Sequence, residues 1–340
     1  MSGSKKRSVL QFLLLLSVGL LLVWLSLKQV APEKDNIIRS FQNADYFWVG
    51  ISMFIAFLSH FFRALRWNDL LIPTGHRTRL LNAMSHVFIG YFANYGIPRM
   101  GEVSRCTLAA KYDKVPFEIG FGTVITERIV DFFLFLIIFV ITLVLQFNDL
   151  IGLANKLVFD PLKSRLSGIS DHPGQIIILT MGLVVSFALI LFFRKRISGL
   201  LKGKLGGMLK GMGEGIGSVR KMKRPLRFVL LSVLIWLSYF YSLYTCFFAL
   251  DGTSQLSQGQ GLTLLLFGTF GVIFSPGGLG AYPLILYGIL HGTYGLDEVS
   301  SFALPWLAWT AQFILIVLFG LLSLLFLPLY NRKKHVPQAA

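Results

Sequence analysis

Six stretches of this chain, at 9–27, 46–64, 124–147, 175–193, 226–249 and 301–327, are apolar over nearly their whole length. Each approaches the roughly 20 residues that a helix needs to cross the hydrocarbon core of a bilayer. Composition agrees that lipid is the solvent. Of the 340 residues 54% are hydrophobic and only 14% are charged, against about a quarter charged in a soluble domain. The expected class is an all-α integral membrane protein, a single polytopic domain over 1–340. The first apolar run follows Lys5, Lys6 and Arg7, is long for a signal-peptide core, and has no small-x-small site before "KQVAPEK". It reads as an uncleaved span.

The formal charge of +16 could suggest a polyanion partner, but its placement does not. Eleven Lys/Arg lie between Arg194 and Arg227, where Glu214 is the lone acid, and other clusters flank apolar runs at Arg63, Arg66, Arg77, Arg79 and at Arg332, Lys333, Lys334. This is the positive-inside pattern; the partners it implies are anionic headgroups, not nucleic acid. Two further apolar pieces, 81–97 and 261–293, are broken by Gly and Pro. If 81–97 crossed fully, the eleven-cation segment would fall outside. If it dips in and returns, every basic cluster falls inside, and the same parity makes 261–293 a hairpin. The expectation is about six spans plus two re-entrant broken hairpins in an inner membrane, both termini cytoplasmic.

That order repeats with opposite orientation: half-repeat 1–147, linker 148–174, half-repeat 175–328, then a basic tail at 329–340. It is the inverted-repeat plan of many transporters. The breaks rhyme weakly. Gly90-x-Phe92 precedes Pro98, Gly268-x-Phe270 precedes Pro276 at the same distance, and Gly101 and Gly280 follow.

Backbone that leaves helical geometry in hydrocarbon is tolerated only where protein buries it or it lines a wet cavity. The breaks "NYGIPRMGEVSR" and "SPGGLGAYP" should therefore face each other or a shared cavity, where transporters bind their cargo. The alternative is a pair of packed kinks, less natural for the first break because Arg99, Glu102 and Arg105 need solvent or partners. In "TVITERIVDFF", Glu127, Arg128 and Asp131 mark either a pathway or an internal ion pair, Arg128 with Asp131 or Glu127, that locks this helix against the hairpin. In "HFFRALRW", Arg63 and Arg66 first suggest snorkelling anchors with Trp67 at headgroup depth, and headgroup binding by Arg66 second. His60 and His86 are either packed histidines or proton carriers and stay unassigned. Cys106 and Cys246 show neither metal spacing nor a disulfide framework. Residues 201–219 place apolar side chains at helical spacing among lysines, as in an interfacial amphipathic helix. GxxxxGK[ST], HExxH, CxxC and GxSxG are all missing, so no ATP engine, metal or cofactor is expected.

"RALRW", "NYGIPRMGEVSR", "TVITERIVDFF" and "SPGGLG", in this order, resemble the lysylphosphatidylglycerol synthase transmembrane (flippase-like) family over about 50 to 320. The resemblance implies movement of a polar-headgroup lipid between leaflets. It highlights Asn94, Pro98, Arg99, Gly101, Glu102, Arg105, Glu127, Arg128, Asp131, Pro276, Gly277, Gly278 and Gly280. Pro283 stands where the family often has a glutamate, and the soluble aminoacyl-transferase domain of the full synthases is not expected here, so the chain should not synthesise an aminoacylated lipid itself. The leading expectation is a non-enzymatic translocator of a polar or anionic lipid. The alternatives are a membrane-embedded transferase acting on a lipid-linked substrate, or a non-catalytic partner of a separately encoded lipid-modifying enzyme.

Overall fold

The computed structural model describes residues 3–97, 100–154, 222 and 224–332, and all regular structure among them is helical. The helices are α1 (Gly3–Gln29), α2 (Lys34–Gln42), α3 (Tyr46–Leu71), α4 (Leu80–Gly96), α5 (Met100–Asp113), α6 (Phe117–Leu145), α7 (Phe147–Ala154), α8 (Pro225–Cys246), α9 (Gln258–Phe274), α10 (Ala281–Gly292) and α11 (Glu298–Arg332). Four of these, α3, α6, α8 and α11, belong to helical stretches long and apolar enough to cross a membrane. They coincide with the expected spans at 46–64, 124–147, 226–249 and 301–327. A fifth is added if Leu16–Gln29 and Ala31–Gln42, which meet at 67°, form one broken span. The expected span at 175–193, the amphipathic stretch at 201–219, Pro98, Arg99 and the tail beyond Arg332 lie outside the described residues.

Local signals set the helix starts. Asp45 caps α3 by accepting the Phe47 N–H at 3.0 Å, which satisfies one of the donors a helix start leaves free. A reciprocal Ser257–Gln260 capping box opens α9. Pro225 occupies the first turn of α8, where its missing N–H costs nothing.

The first broken piece is larger than the sequence indicated. Helices α4 and α5 form an antiparallel hairpin whose limbs run over 80–96 and 100–113, so 81–97 is its first limb only. The base is tied where Asp113 Oδ1 accepts from Asn82 Nδ2 at 2.9 Å and from the Arg79 backbone N–H at 3.4 Å. Near the tip the limbs touch through glycine: a Cβ on Gly90 would lie 2.9 Å from the Gly101 carbonyl oxygen. Gly101 also donates its N–H to Asn94 Oδ1 at 2.8 Å. At about 1.5 Å per residue the limbs are about 25 and 21 Å long, short of the roughly 30 Å hydrocarbon core.

The second hairpin joins α9 to α10 through the turn at Pro276–Gly278. Gly277, Gly278 and Gly280 have φ of 58°, 80° and 73°, the left-handed region where a side chain is strained. The two tips meet. The Tyr95 ring lies against Gly277, and Trp309 Nε1 donates to the Gly277 carbonyl at 2.9 Å. The expectation that the two breaks face each other is realised through this contact.

Helices α3 and α8 form the most extensive helix pair among the described residues. They run antiparallel, since Ser52 donates to the Ser242 carbonyl at 2.6 Å while Arg66 reaches Ser232. Around this pair, α4 packs on α11 and α9 on α6. Stacked Phe88–Phe319 rings at 5.1 Å fill the first contact, and an edge-on Phe135–Phe270 pair at 5.7 Å the second.

Candidate functional site

Seven ionisable side chains from three helices converge beside the first hairpin. From α3 come Arg63 and Arg66, a turn apart; from α5, Glu102 and Arg105; from α6, Glu127, Arg128 and Asp131. Asp131 accepts from Arg63 Nη1 at 3.0 Å and from Arg66 Nη1 and Nη2 at 2.7 and 3.1 Å, the last two as a fork. Two-point contact of this kind fixes orientation as well as distance. Glu127 accepts from Arg105 Nη1 at 2.6 Å and lies 3.5 Å from Arg66 Nε. Glu102 accepts from Arg128 Nη2 at 2.9 Å, while Arg128 and Asp131 are 3.7 Å apart. With every group ionised, four guanidinium groups face three carboxylates, leaving one positive charge.

The surrounding residues explain how this much charge is tolerated. Arg63 Nη2 donates to Tyr239 Oη at 2.8 Å, and that oxygen lies 3.4 Å from Tyr91 Oη. Arg66 Nη1 also donates to Ser232 Oγ at 3.1 Å. The Arg105 guanidinium sits 3.9 Å above the Trp67 ring, a cation–π contact strengthened by desolvation. Trp67 is itself buried and donates Nε1–H to Thr123 Oγ1 at 3.0 Å.

Burial corrects the snorkelling expectation for Arg63, Arg66 and Trp67. Their residue exposures are 2%, 0% and 0%, and both arginines point inward to carboxylates. A carboxylate about four turns into α6 attracts them more strongly than a headgroup layer, because neither partner tolerates burial alone. Glu102 and Arg105 do not pair with each other among the described residues: the ion-pair partner of Glu102 there is Arg128, and Arg105 is held by Glu127. The internal lock on α6 is real but distributed: Arg105–Glu127 and Arg128–Glu102 tie α6 to the hairpin, and Arg63 and Arg66 tie it to α3.

One part of the cluster is open. Tyr91, Asn94, Gly101, Glu102, Arg105 and Arg128 line a small pocket at the tip of the hairpin. The Arg128 side chain is 44% exposed and that of Glu102 23%. Among the described residues, Nε and Nη2 of Arg105 and Oε2 of Glu102 have no hydrogen-bond partner although they are buried. Unmatched groups of this kind are costly unless something polar meets them. Close to the pocket residues in sequence, Ile97, Met100 and Val103 on the hairpin and Ile129 and Phe132 on α6 are exposed.

The candidate residues thus separate into two groups. Asn94, Gly101, Glu102, Arg105, Glu127, Arg128, Asp131 and Arg66 gather in or behind this pocket. Pro276, Gly277, Gly278 and Gly280 form the opposing tip, against Tyr95, Trp309 and α1, where a Cβ on Gly280 would lie 2.7 Å from the Gly19 carbonyl oxygen. Tyr91, Tyr239, Ser232 and the Trp67 face were missed by sequence reasoning. A polar atom on an otherwise apolar helix face was their only signal.

A family model for the lysylphosphatidylglycerol synthase TM region matches residues 9–320. The chain belongs to this family. It is an all-α, multi-pass membrane protein of a family connected by name with lipid handling. A UPF0104 membrane protein of Methanocaldococcus jannaschii is similar, 30% identical over 112 residues, 32% of this chain. The match spans about a third of that relative's length, 33%. No solved structure matches.

Proposed function

We propose that the protein moves a lipid with a polar or anionic headgroup between the leaflets of the inner membrane, leaving the lipid chemically unchanged. The observation that carries this reading is the pocket at the hairpin tip. It combines a positive excess, guanidinium N–H groups on Arg105 that have no partner among the described residues, and an open Arg128, with exposed apolar side chains adjacent in sequence. Guanidinium matches the oxygens of a phosphate two at a time, and the exposed apolar side chains suit acyl chains. The family name, a lipid synthase's membrane region, supports a lipid as cargo.

The packing supports an inverted repeat. Exchanging α3 with α8, the first hairpin with the second, and α6 with α11 turns α4-on-α11 into α9-on-α6, and the α3–α8 pair into itself. In this reading both hairpins are re-entrant, the six crossings and cytoplasmic termini follow from the basic clusters, and cargo passes between the tips.

Leaflet exchange of headgroup-labelled lipids in proteoliposomes of the pure protein tests the proposal. Exchange should exceed that of protein-free vesicles, and extracted lipid should be chemically intact. Conversion of one lipid into another, abolished by Glu127→Gln or Asp131→Asn in folded protein, would instead make it a membrane-embedded transferase.

A further inference from the structure

Two titratable side chains at the base of the first hairpin take no part in the cluster beside its tip. His86 on α4 is fully buried, and its Nε2 lies 3.6 Å from Asp113 Oδ2 on α5. Asp113 is held by Asn82 and by the Arg79 N–H through its other oxygen, Oδ1. Its side chain is 5% exposed. Among the described residues, Oδ2 and both ring nitrogens of His86 have no hydrogen-bond partner. A carboxylate so placed needs a counter-charge or a proton. One proton shared between the two groups supplies either, as an N–H donor to the carboxylate or an O–H donor to the ring.

Among the described residues, the charged groups facing His86 are Asp113 and Arg105, both from α5. From α3 the Trp67 ring meets the imidazole edge-on at 6.1 Å, and the Arg105 guanidinium lies on that same indole. From α6, Thr123 accepts the Trp67 N–H and Glu127 holds Arg105. From α11, Asn331 exchanges hydrogen bonds with Asn82, the partner of Asp113. His86 therefore sits between the hairpin base, where Arg79 is exposed, and the arginine that faces the pocket.

We propose that His86 and Asp113 form a proton site and that the protein carries its lipid together with a proton. This rests on the translocator reading. The Arg105 cation opposes a positive charge on His86. An anionic headgroup at Arg105 and Arg128 offsets that field, so headgroup and proton bind cooperatively, and the coupling is the same in both directions. The proton enters beside Asp113, resides on the pair while the pocket is filled, and leaves when the headgroup leaves. A carrier that binds the two together converts a proton gradient into a lipid gradient.

The test uses vesicles of phosphatidylcholine with a trace of fluorescent phosphatidylglycerol, an entrapped pH dye, and the membrane potential collapsed. With the wild-type protein, a one-unit pH gradient should shift the leaflet ratio of the probe by about tenfold for one proton per lipid. His86→Gln and Asp113→Asn should exchange the probe but leave the leaflets equal. Wild-type exchange whose end point ignores the gradient overturns the proton site while sparing the translocator, as does accumulation by both variants equal to wild type. No exchange under any condition overturns the translocator reading itself, and the proton site with it. If neither variant folds, the wild-type dye signal decides: an imposed lipid gradient must move protons, and a silent dye refutes the inference.

Discussion

Glu127 and Glu102 each hold an arginine, under different solvation. The Glu127 side chain is 1% exposed and has two guanidinium groups around it; Glu102 meets Arg128, whose side chain is 44% exposed. Replacing Glu127 by Gln strands Arg105 in a dry interior, while Arg66 keeps its fork to Asp131, at a cost of about 3–5 kcal/mol. Glu127→Gln should therefore lower the melting temperature in detergent, read by the loss of the monodisperse size-exclusion peak. Arg128→Gln should behave oppositely, because an exposed ion pair contributes at most about 1 kcal/mol. It should fold like wild type and lose most lipid exchange, and Arg128→Lys should recover only part, since ammonium cannot reproduce the fork. Wild-type exchange in Arg128→Gln would remove this arginine from the pathway. At this scale the sequence was half legible. Glu102, Arg105, Glu127, Arg128 and Asp131 stood out as charge in apolar surroundings. Their partners did not, because Arg63 lies 68 residues from Asp131, and an arginine near a helix end looks alike whether it turns toward water or toward the interior.

Among the elements, the first hairpin was legible in its break and hidden in its return. The sequence "MGEVSRCTLAAKYD" of α5 is too polar to resemble a membrane segment. Its polarity is matched internally, with Arg105 and Glu102 answering α6 and Asp113 tying the base. Charges that cancel across an interface are invisible to any scale that scores each residue against lipid. The glycines set how closely the limbs approach. A Cβ on Gly101 would press into the Gly90 carbonyl and the Asn94 amide. Gly101→Ala should push α5 away from α4, displace Glu102 and Arg105 together, and abolish exchange with a lowered melting temperature. Retention of both properties would show that the tip is looser than this crossing implies. The second hairpin, at Gln258–Phe274 and Ala281–Gly292, lay close to the expected 261–293. Its limbs are uncharged apart from His291, so nothing disguised them.

For the whole molecule, the α3–α8 crossing is the seam between the proposed halves. Ser52 and Ser242 share hydrogen bonds there, Gln312 donates to Ser242 Oγ at 2.8 Å, and the Cys246 thiol lies 3.2 Å from Ser52 Oγ. Ser52→Cys therefore places a second thiol beside a native one. If the halves rock about this seam, the oxidised variant should keep exchanging lipid while the reduced and oxidised proteins differ in electrophoretic mobility. A block that reductant relieves would mean that the seam itself must open. The exposed Ile129 and Phe132, adjacent to Arg128 and one turn on in α6, have a different consequence, one of kinetics. A glycerophosphate dissolved in water would have to shed its hydration and pass these apolar side chains to reach the guanidinium. A lipid already in the leaflet arrives sideways with its tails still solvated by their own kind. Cargo is sorted by partitioning before it is sorted by charge, so a free headgroup should compete feebly at concentrations where the intact lipid saturates.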